Sequence, residues 1–237
     1  MKIIAACRTL NEASRIEKFC NAYQFADKIL VADGGSSDNT VEIAKSMPKT
    51  HVREYHTMVR CENDIWRNPD GSHLQFLYDW AVEEGADWTI CQDCDQRPNK
   101  VLKESVREIL SNMDKDFLMV TQIYLLGKDM YFPHLSGAKG EWWQGLWAWR
   151  SNINLKVIDK MPHFEFSFDG VKSVDVSKLQ RHRNLQPPHC FMHFGWEDEA
   201  MIEEHLKYYR DSKLIPQMVH PLKFAGNPEP LLEWMSE

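Results

Sequence analysis

Asp93 and Asp95 stand one residue apart in the run Gln92-Asp93-Cys94-Asp95, directly after the apolar stretch Trp88-Thr89-Ile90-Cys91. Two carboxylates at this spacing on extended backbone reach a single hard cation, directly or through water. Magnesium or manganese takes oxygen ligands of this kind while keeping positions for phosphate. An isolated Asp-x-Asp is commonly a solvated turn, so its place between a buried strand and a following helix is the informative feature. The interleaved Cys91-x-x-Cys94 must also be weighed as a zinc half-site or a thiol pair. No second ligand pair follows at ribbon or finger spacing, with Cys190 and His193 far downstream. The aspartates around the thiols oppose the electropositive setting of a redox pair.

Asp33 ends a second apolar run, Lys28 to Ala32, and opens the tight turn Asp33-Gly34-Gly35-Ser36-Ser37. A carboxylate there can accept hydrogen bonds from a base or ribose across the crevice between strands; turn chemistry alone also accounts for it. Thr9, Asn11 and Glu12 follow the first apolar run and can line that crevice, cap the next helix, or both. The segment Glu141 to Arg150 packs Trp142, Trp143, Trp147 and Trp149 into eight positions. Indole faces stack on sugar rings and Arg150 can meet phosphate, so an acceptor-binding loop is expected, against a hydrophobic lid or dimer contact.

The elements that must position these groups are read from periodicity. Short apolar runs near residues 3–7, 28–32, 51–55, 88–91 and 117–121 alternate with helical patterns. The expected helical faces are Ile16-Phe19-Cys20-Tyr23, Thr40-Ile43-Ala44-Met47, Leu74-Leu77-Tyr78-Ala81 and Leu102-Val106-Ile109-Leu110-Met113. Such alternation predicts an α/β fold with a mostly parallel central sheet flanked by helices, Rossmann-like in its first half. Asn39 with Glu42 reads as a capping box, Pro98 as the opening of a helix, and Cys61 to Ser72, with its Asn68-Pro69-Asp70-Gly71 turn signal, as a loop. Past about Gly127 the alternation breaks down, ending in a helix with the face Met201, Ile202, His205, Leu206 and Tyr209. Residues 1–125 are expected to form a nucleotide-binding half and 126–237 an acceptor-side half of the same compact domain.

Composition narrows the partners. With 43% hydrophobic and 27% charged residues the chain reads as an ordinary globular protein. No apolar run approaches the roughly 20 residues of a membrane span, and a cytoplasmic location is expected. A net charge of -7 opposes stable nucleic-acid binding. Six irregularly placed cysteines read as reduced thiols.

Taken together, Arg8-Thr9-Leu10-Asn11-Glu12, then Ile29 through Asp33-Gly34-Gly35-Ser36-Ser37-Asp38-Asn39-Thr40, then Trp88 through Asp93-Cys94-Asp95 resemble the family 2 glycosyltransferases with the glycosyltransferase A fold. Order, spacing and strand-end placement all match over roughly residues 1–125. The later segments Pro162-His163-Phe164-Glu165, Met192-His193-Phe194 and Glu204 to Tyr209 are similar to the small soluble members resembling lipopolysaccharide-core glucosyltransferases. The resemblance implies a nucleotide-diphospho-sugar transferase. In it Asp33 contacts the base with Thr9 to Glu12 beside it, and Asp93 and Asp95 hold magnesium or manganese against the diphosphate. It further implies His193 as a third metal ligand, with His189 as an alternative, and Glu165 as the base of an inverting transfer, with Glu141, Asp169 and Asp198 also open. The donor would be a nucleoside-diphosphate sugar, with uridine expected by analogy, and the acceptor a glycan or other hydroxyl compound.

Three departures leave the donor open: no proline closes the first strand, Leu74-Gln75 stands where Arg-Asn is common, and Asn63 to Ser72 is long. A nucleotidyltransferase would want a glycine-rich basic loop after the first strand, which Arg8 to Glu12 is not. A non-catalytic carbohydrate-binding protein would not need the intact acid pair.

Overall fold

The computed structural model describes residues 1–56, 59–60, 66–67, 70–133, 142, 144–160, 163–168, 171–172, 181–195 and 229–235. In chain order, β1 (Ile3–Thr9) leads through α1 (Ile16–Ala22) to β2 (Lys28–Asp33), and through α2 (Thr40–Ser46) to β3 (Thr50–Glu54). The short β4 (Val59–Arg60) and β5 (Trp66–Arg67) precede α3 (Asp70–Glu83), β6 (Trp88–Cys91), β7 (Gln96–Pro98) and α4 (Lys100–Ser111). Next come β8 (Phe117–Leu126), β9 (Met130–Tyr131), β10 (Gln144–Arg150), β11 (Leu155–Lys160), β12 (His163–Phe168) and β13 (Val171–Lys172). β14 (His182–His193), β15 (Glu229–Pro230) and a 3-10 turn at Glu233–Met235 complete the described chain.

The expected α/β architecture is borne out. β6, β1, β2 and β3 lie side by side and parallel. β10, from the second half of the chain, inserts antiparallel between β6 and β8, and β14 runs parallel to β8 while its end pairs antiparallel with β7. β1, β2 and β6 are buried on both faces because helices cover both, whereas the edge strand β3 is polar and partly exposed. Ile3, Ala5, Cys7, Ile29 and Val31 pack with Ile16 and Phe19 of α1 and Leu102 and Val106 of α4. Ile4, Ala6, Leu30 and Ala32 pack with Leu77, Trp80 and Ala81 of α3.

Several local expectations are corrected. Asp70, Gly71 and Ser72 begin α3 instead of ending a loop, since the N–H groups of a helix's first turn find their partners outside the helix, where small polar residues are tolerated. Asn39 caps α2 by position without a side-chain bond. Asp38 instead accepts from the Thr40 N–H at 3.0 Å. Pro98 lies in β7, and Asn99 opens α4. The expected helix around Met201 to Tyr209 lies outside the described residues.

Asn99 is buried and ties three elements together. Its Oδ1 accepts from Leu102 N–H at 3.0 Å, and its Nδ2 donates to Pro188 O at 2.8 Å and Trp234 O at 2.6 Å. Asn99→Ala removes a helix cap worth about 1 kcal/mol and leaves two carbonyls without this donor. A loss of roughly 2–3 kcal/mol is expected, read from the urea unfolding midpoint.

Candidate active site

The carboxyl ends of β1, β2 and β6 converge, and the strand register dictates which side chains meet there. Thr9 pairs with Asp33 at the ends of β1 and β2. Ala6 pairs with Cys91, so two residues further along both strands Arg8 comes level with Asp93. The Arg8 guanidinium grips that carboxylate through both oxygens, Nε to Oδ1 at 2.7 Å and Nη2 to Oδ2 at 3.3 Å. Burial pushes the Asp93 carboxyl upward, but the charge and hydrogen bonds of Arg8, with a further contribution from His193, outweigh it and hold Asp93 below its ordinary value.

Asp95 lies on the other side of the turn into β7 and has a different environment. Its Oδ1 is buried without a hydrogen-bond partner, and its Oδ2 lies 3.6 Å from His193 Nε2. His193 arrives from the far end of the chain because β14 pairs with β7, placing it opposite Gln96, while Phe194 N–H donates to Asp95 O at 2.7 Å. Gly195 N–H donates to His193 Nδ1 at 3.3 Å. A Cβ on Gly195 would meet His193 Cε1 at 2.4 Å and Asp95 Oδ2 at 3.1 Å, so the close approach requires glycine. The alternative ligand His189 is four residues back along β14, roughly 13 Å away at the usual strand rise.

Among the described residues no three His, Cys, Asp or Glu side chains stand together as a metal site. Asp93 is turned onto Arg8, and this is the physical reason the expected triad is incomplete. Asp95 and His193 nevertheless fit a divalent cation: a buried carboxylate oxygen without a partner beside an imidazole is a donor set that suits manganese better than the oxygen-preferring magnesium.

Asp33 is engaged by its own turn. It is buried, and its Oδ1 accepts from the Thr9 hydroxyl at 3.1 Å and the Ser36 hydroxyl at 2.6 Å, while its Oδ2 accepts from Gly35 N–H at 2.9 Å and Ser36 N–H at 2.8 Å. The carboxylate is used to lock the turn. Asn11, at φ 57°, accepts from Ser37 N–H at 2.8 Å, which ties the loop after β1 to the turn after β2. Glu12 does not cap α1 with its side chain; it meets Arg15 at 3.1 Å. Burial pushes the Glu12 carboxyl upward; Arg15 opposes this, and the nearby Asp95 and Asp93 add to it. These residues form a rigid floor to the crevice.

Asp38 completes that floor, accepting from Ala13 N–H at 3.1 Å and from Thr40. Burial raises its carboxyl, but these hydrogen bonds dominate and hold it below the ordinary range. A folded-state value below the unfolded one contributes stability that is complete above the ordinary carboxylate range and is lost as pH falls through the depressed value. Asp38→Asn should therefore lose less stability than the native chain between neutral pH and about pH 3, measured by urea midpoints across that range.

A cleft of about 220 Å³ opens beside Asp93, lined by Arg8, Gln92 and Gln96 with the apolar Leu74, Leu146 and Trp149. The tryptophans expected to face an acceptor divide. A bulge in β10 between Leu146 and Ala148 puts Trp147 on the α1/α4 face, buried in the core, and Trp149 on the α3 face, where it lines the cleft. Trp147 is thereby corrected to a core residue. Arg150 is corrected too: it pairs with Trp88 at the opposite end of β6, where its guanidinium lies 4.7 Å from the Trp88 ring and donates to the Lys115 and Met113 carbonyls. Trp142 is half-buried, edge-on to Trp234 at 5.6 Å. Trp143, Glu141, Asp169 and Asp198 lie outside the described residues.

Glu165 lies on β12 in register with Ile158 of β11. That hairpin packs on α3, where Gln75 Oε1 accepts from Val157 N–H at 2.7 Å, one residue from Leu74 of the cleft. The thiols do not form a Cys91–Cys94 pair. Cys94 Sγ faces Cys7 Sγ at 3.5 Å, and burial, then Asp93, pushes the Cys91 thiol up to about 12, far from a reactive thiolate. Arg8 and Gly195 are the site residues to which sequence reasoning assigned no role. An arginine closing an otherwise apolar strand was the available signal for the first.

No family model matches the chain. A curated protein of Rickettsia bellii (strain RML369-C), described as an uncharacterized glycosyltransferase, is 30% identical over 130 residues. The match covers 53% of this chain and 38% of that protein, so the chain spans well under half the relative's length. The resemblance to glycosyltransferases carried by the strand-end motifs is borne out by this relative. Among solved structures, TarS 1-349 of S. aureus in complex with UDP-GlcNAc aligns over 54% of this chain and 36% of its own, with 17% identity and a TM-score of 0.43. Glucosyl-3-phosphoglycerate synthase of Mycobacterium tuberculosis in complex with phosphoglyceric acid aligns over 63% and 57%, with 20% identity and a TM-score of 0.41. Among the described residues no helix is long and apolar enough to cross a membrane.

Proposed function

We propose that this chain is a glycosyltransferase that moves a sugar from a nucleoside diphosphate to a hydroxyl acceptor with inversion, assisted by manganese or magnesium. The observation that carries this reading is the buried, unpartnered Oδ1 of Asp95 beside His193, at the carboxyl end of β6 and next to the cleft. Open α/β sheets bind their ligands at such strand ends. The strand-end motifs and the description of the Rickettsia bellii relative support the same class.

In this reading Asp95 and His193 hold the cation, with Asp93 joining them. A bound divalent ion neutralises the diphosphate and so stabilises the leaving group. The floor built by Thr9, Asn11, Glu12 and Asp33 holds the two loops that frame the nucleoside, uridine by analogy. Glu165, on the hairpin that packs against α3, takes the proton of the acceptor hydroxyl as its oxygen bonds to the anomeric carbon; the sugar–phosphate bond breaks and the nucleoside diphosphate departs. Residues 1–125 serve the donor and 126–237 the acceptor, with Trp142 and Trp143 offered to its sugar rings.

The test is release of nucleoside diphosphate from a panel of sugar nucleotides, with and without EDTA. Turnover of at least one donor that EDTA abolishes and manganese restores is expected. Equal turnover in both arms would remove the metal role, and no turnover of any donor with any acceptor class would remove the transferase.

A further inference from the structure

We propose that Arg8 is a gate on the cation site. With no cation present its guanidinium neutralises Asp93; an arriving divalent ion takes Asp93 from it, and the released guanidinium turns onto the diphosphate of the donor. The proposal rests on the reading above that Asp93 and Asp95 serve a divalent cation.

Two acids one residue apart are treated in opposite ways. Both oxygens of Asp93 are covered by Arg8, at 2.7 and 3.3 Å, whereas Asp95 keeps a buried oxygen with no partner. The Arg8–Asp93 pair is only partly covered, with side chains 26% and 42% exposed, so an incoming ion can reach the carboxylate. The two-point contact is the best an arginine can make, but a doubly charged ion attracts a carboxylate more strongly than a delocalised single charge does. Arg8 itself lines the cleft, and its planar fork of N–H donors matches phosphate oxygens once it leaves a carboxylate. One side chain thus links cation arrival to diphosphate capture, and this linkage must act equally in both directions.

The experiment measures binding of manganese alone, by the electron paramagnetic resonance of free ion, and then of uridine diphosphate at saturating manganese, to the native chain, Arg8→Met and Arg8→Lys. Without nucleotide, Arg8→Met should bind manganese about tenfold more tightly than the native chain, and with manganese it should bind the diphosphate about tenfold more weakly. Arg8→Lys should fall between, because one ammonium cannot cover both oxygens. Unchanged or weaker manganese binding by Arg8→Met, with native circular dichroism and melting, would overturn the gate, and so would tighter manganese with unchanged diphosphate binding, which is what a fixed arginine beside the site gives. If Arg8→Met does not fold, Arg8→Lys decides: tighter manganese supports the gate and unchanged or weaker manganese overturns it. A native chain that binds no manganese even with nucleotide would overturn the metal reading itself, whereas native binding that the variants share would overturn only the gate.

Discussion

Asp95→Asn is expected to lower sugar transfer by on the order of 10²–10³-fold, corresponding to several kcal/mol of charge stabilisation withdrawn from the leaving group. The same substitution should leave the melting temperature unchanged or raise it. In the native chain the Asp95 carboxylate has a buried oxygen without a hydrogen-bond partner, and its nearest cationic candidate, His193 Nε2, stands at 3.6 Å, beyond hydrogen-bond reach. Such a group costs stability, and neutralising it relieves that cost. Activity and stability therefore move in opposite directions, as they do where a fold keeps a strained group for chemistry. Parallel assays of donor turnover and thermal unfolding check this; a variant with both activity and stability lost would mean that Asp95 serves the fold alone.

Trp147→Ala is expected to produce the largest loss of stability, about 3–5 kcal/mol for truncating a large buried aromatic. That corresponds to a fall in Tm of roughly 10 °C in a chain of this size. Trp147 is 0% exposed, with its ring centroid 6.5 Å from Tyr23 and 6.3 Å from Phe25, and it belongs to the same core as α1 and α4. The contrast with Trp149 is the sharper test. Trp149 is also buried, at 2% exposed, among Leu74, Tyr78 and Phe117, but its ring borders the cleft, so Trp149→Phe should change substrate affinity as well as stability, whereas no substitution at Trp147 should alter affinity without first weakening the fold. Denaturant unfolding followed by binding to the folded fraction separates the two.

The extent to which this site was legible from sequence varies by residue. The strands carrying Thr9, Asp33 and Asp93 were readable, because burial on both faces demands unbroken apolar runs and the residue after each run must sit at the strand end. The Asp-x-Asp placement and the likeness to glycosyltransferases followed from the same local runs. Asp33 was harder: its type and position suit both a ligand contact and a turn, and the four donors pointed at it, from Thr9, Gly35 and Ser36, come into view only in the fold. The helix start at Asp70 was misread because small polar residues serve turns and first helical turns alike.

What the amino-acid order determined by itself was the parallel α/β half and the line of strand ends on which the acids sit, since both depend on contacts within a few residues or on a period repeated along the chain. Tertiary structure alone decided which groups meet across long separations: Arg8 on Asp93 through the β1–β6 register, His193 beside Asp95 through β14 pairing with β7, and Trp147 turned into the core by a bulge against β8. Pairing register and bulges are set by the packing of the whole sheet, and a shift of one residue exchanges the faces of a strand, so no local pattern contains them.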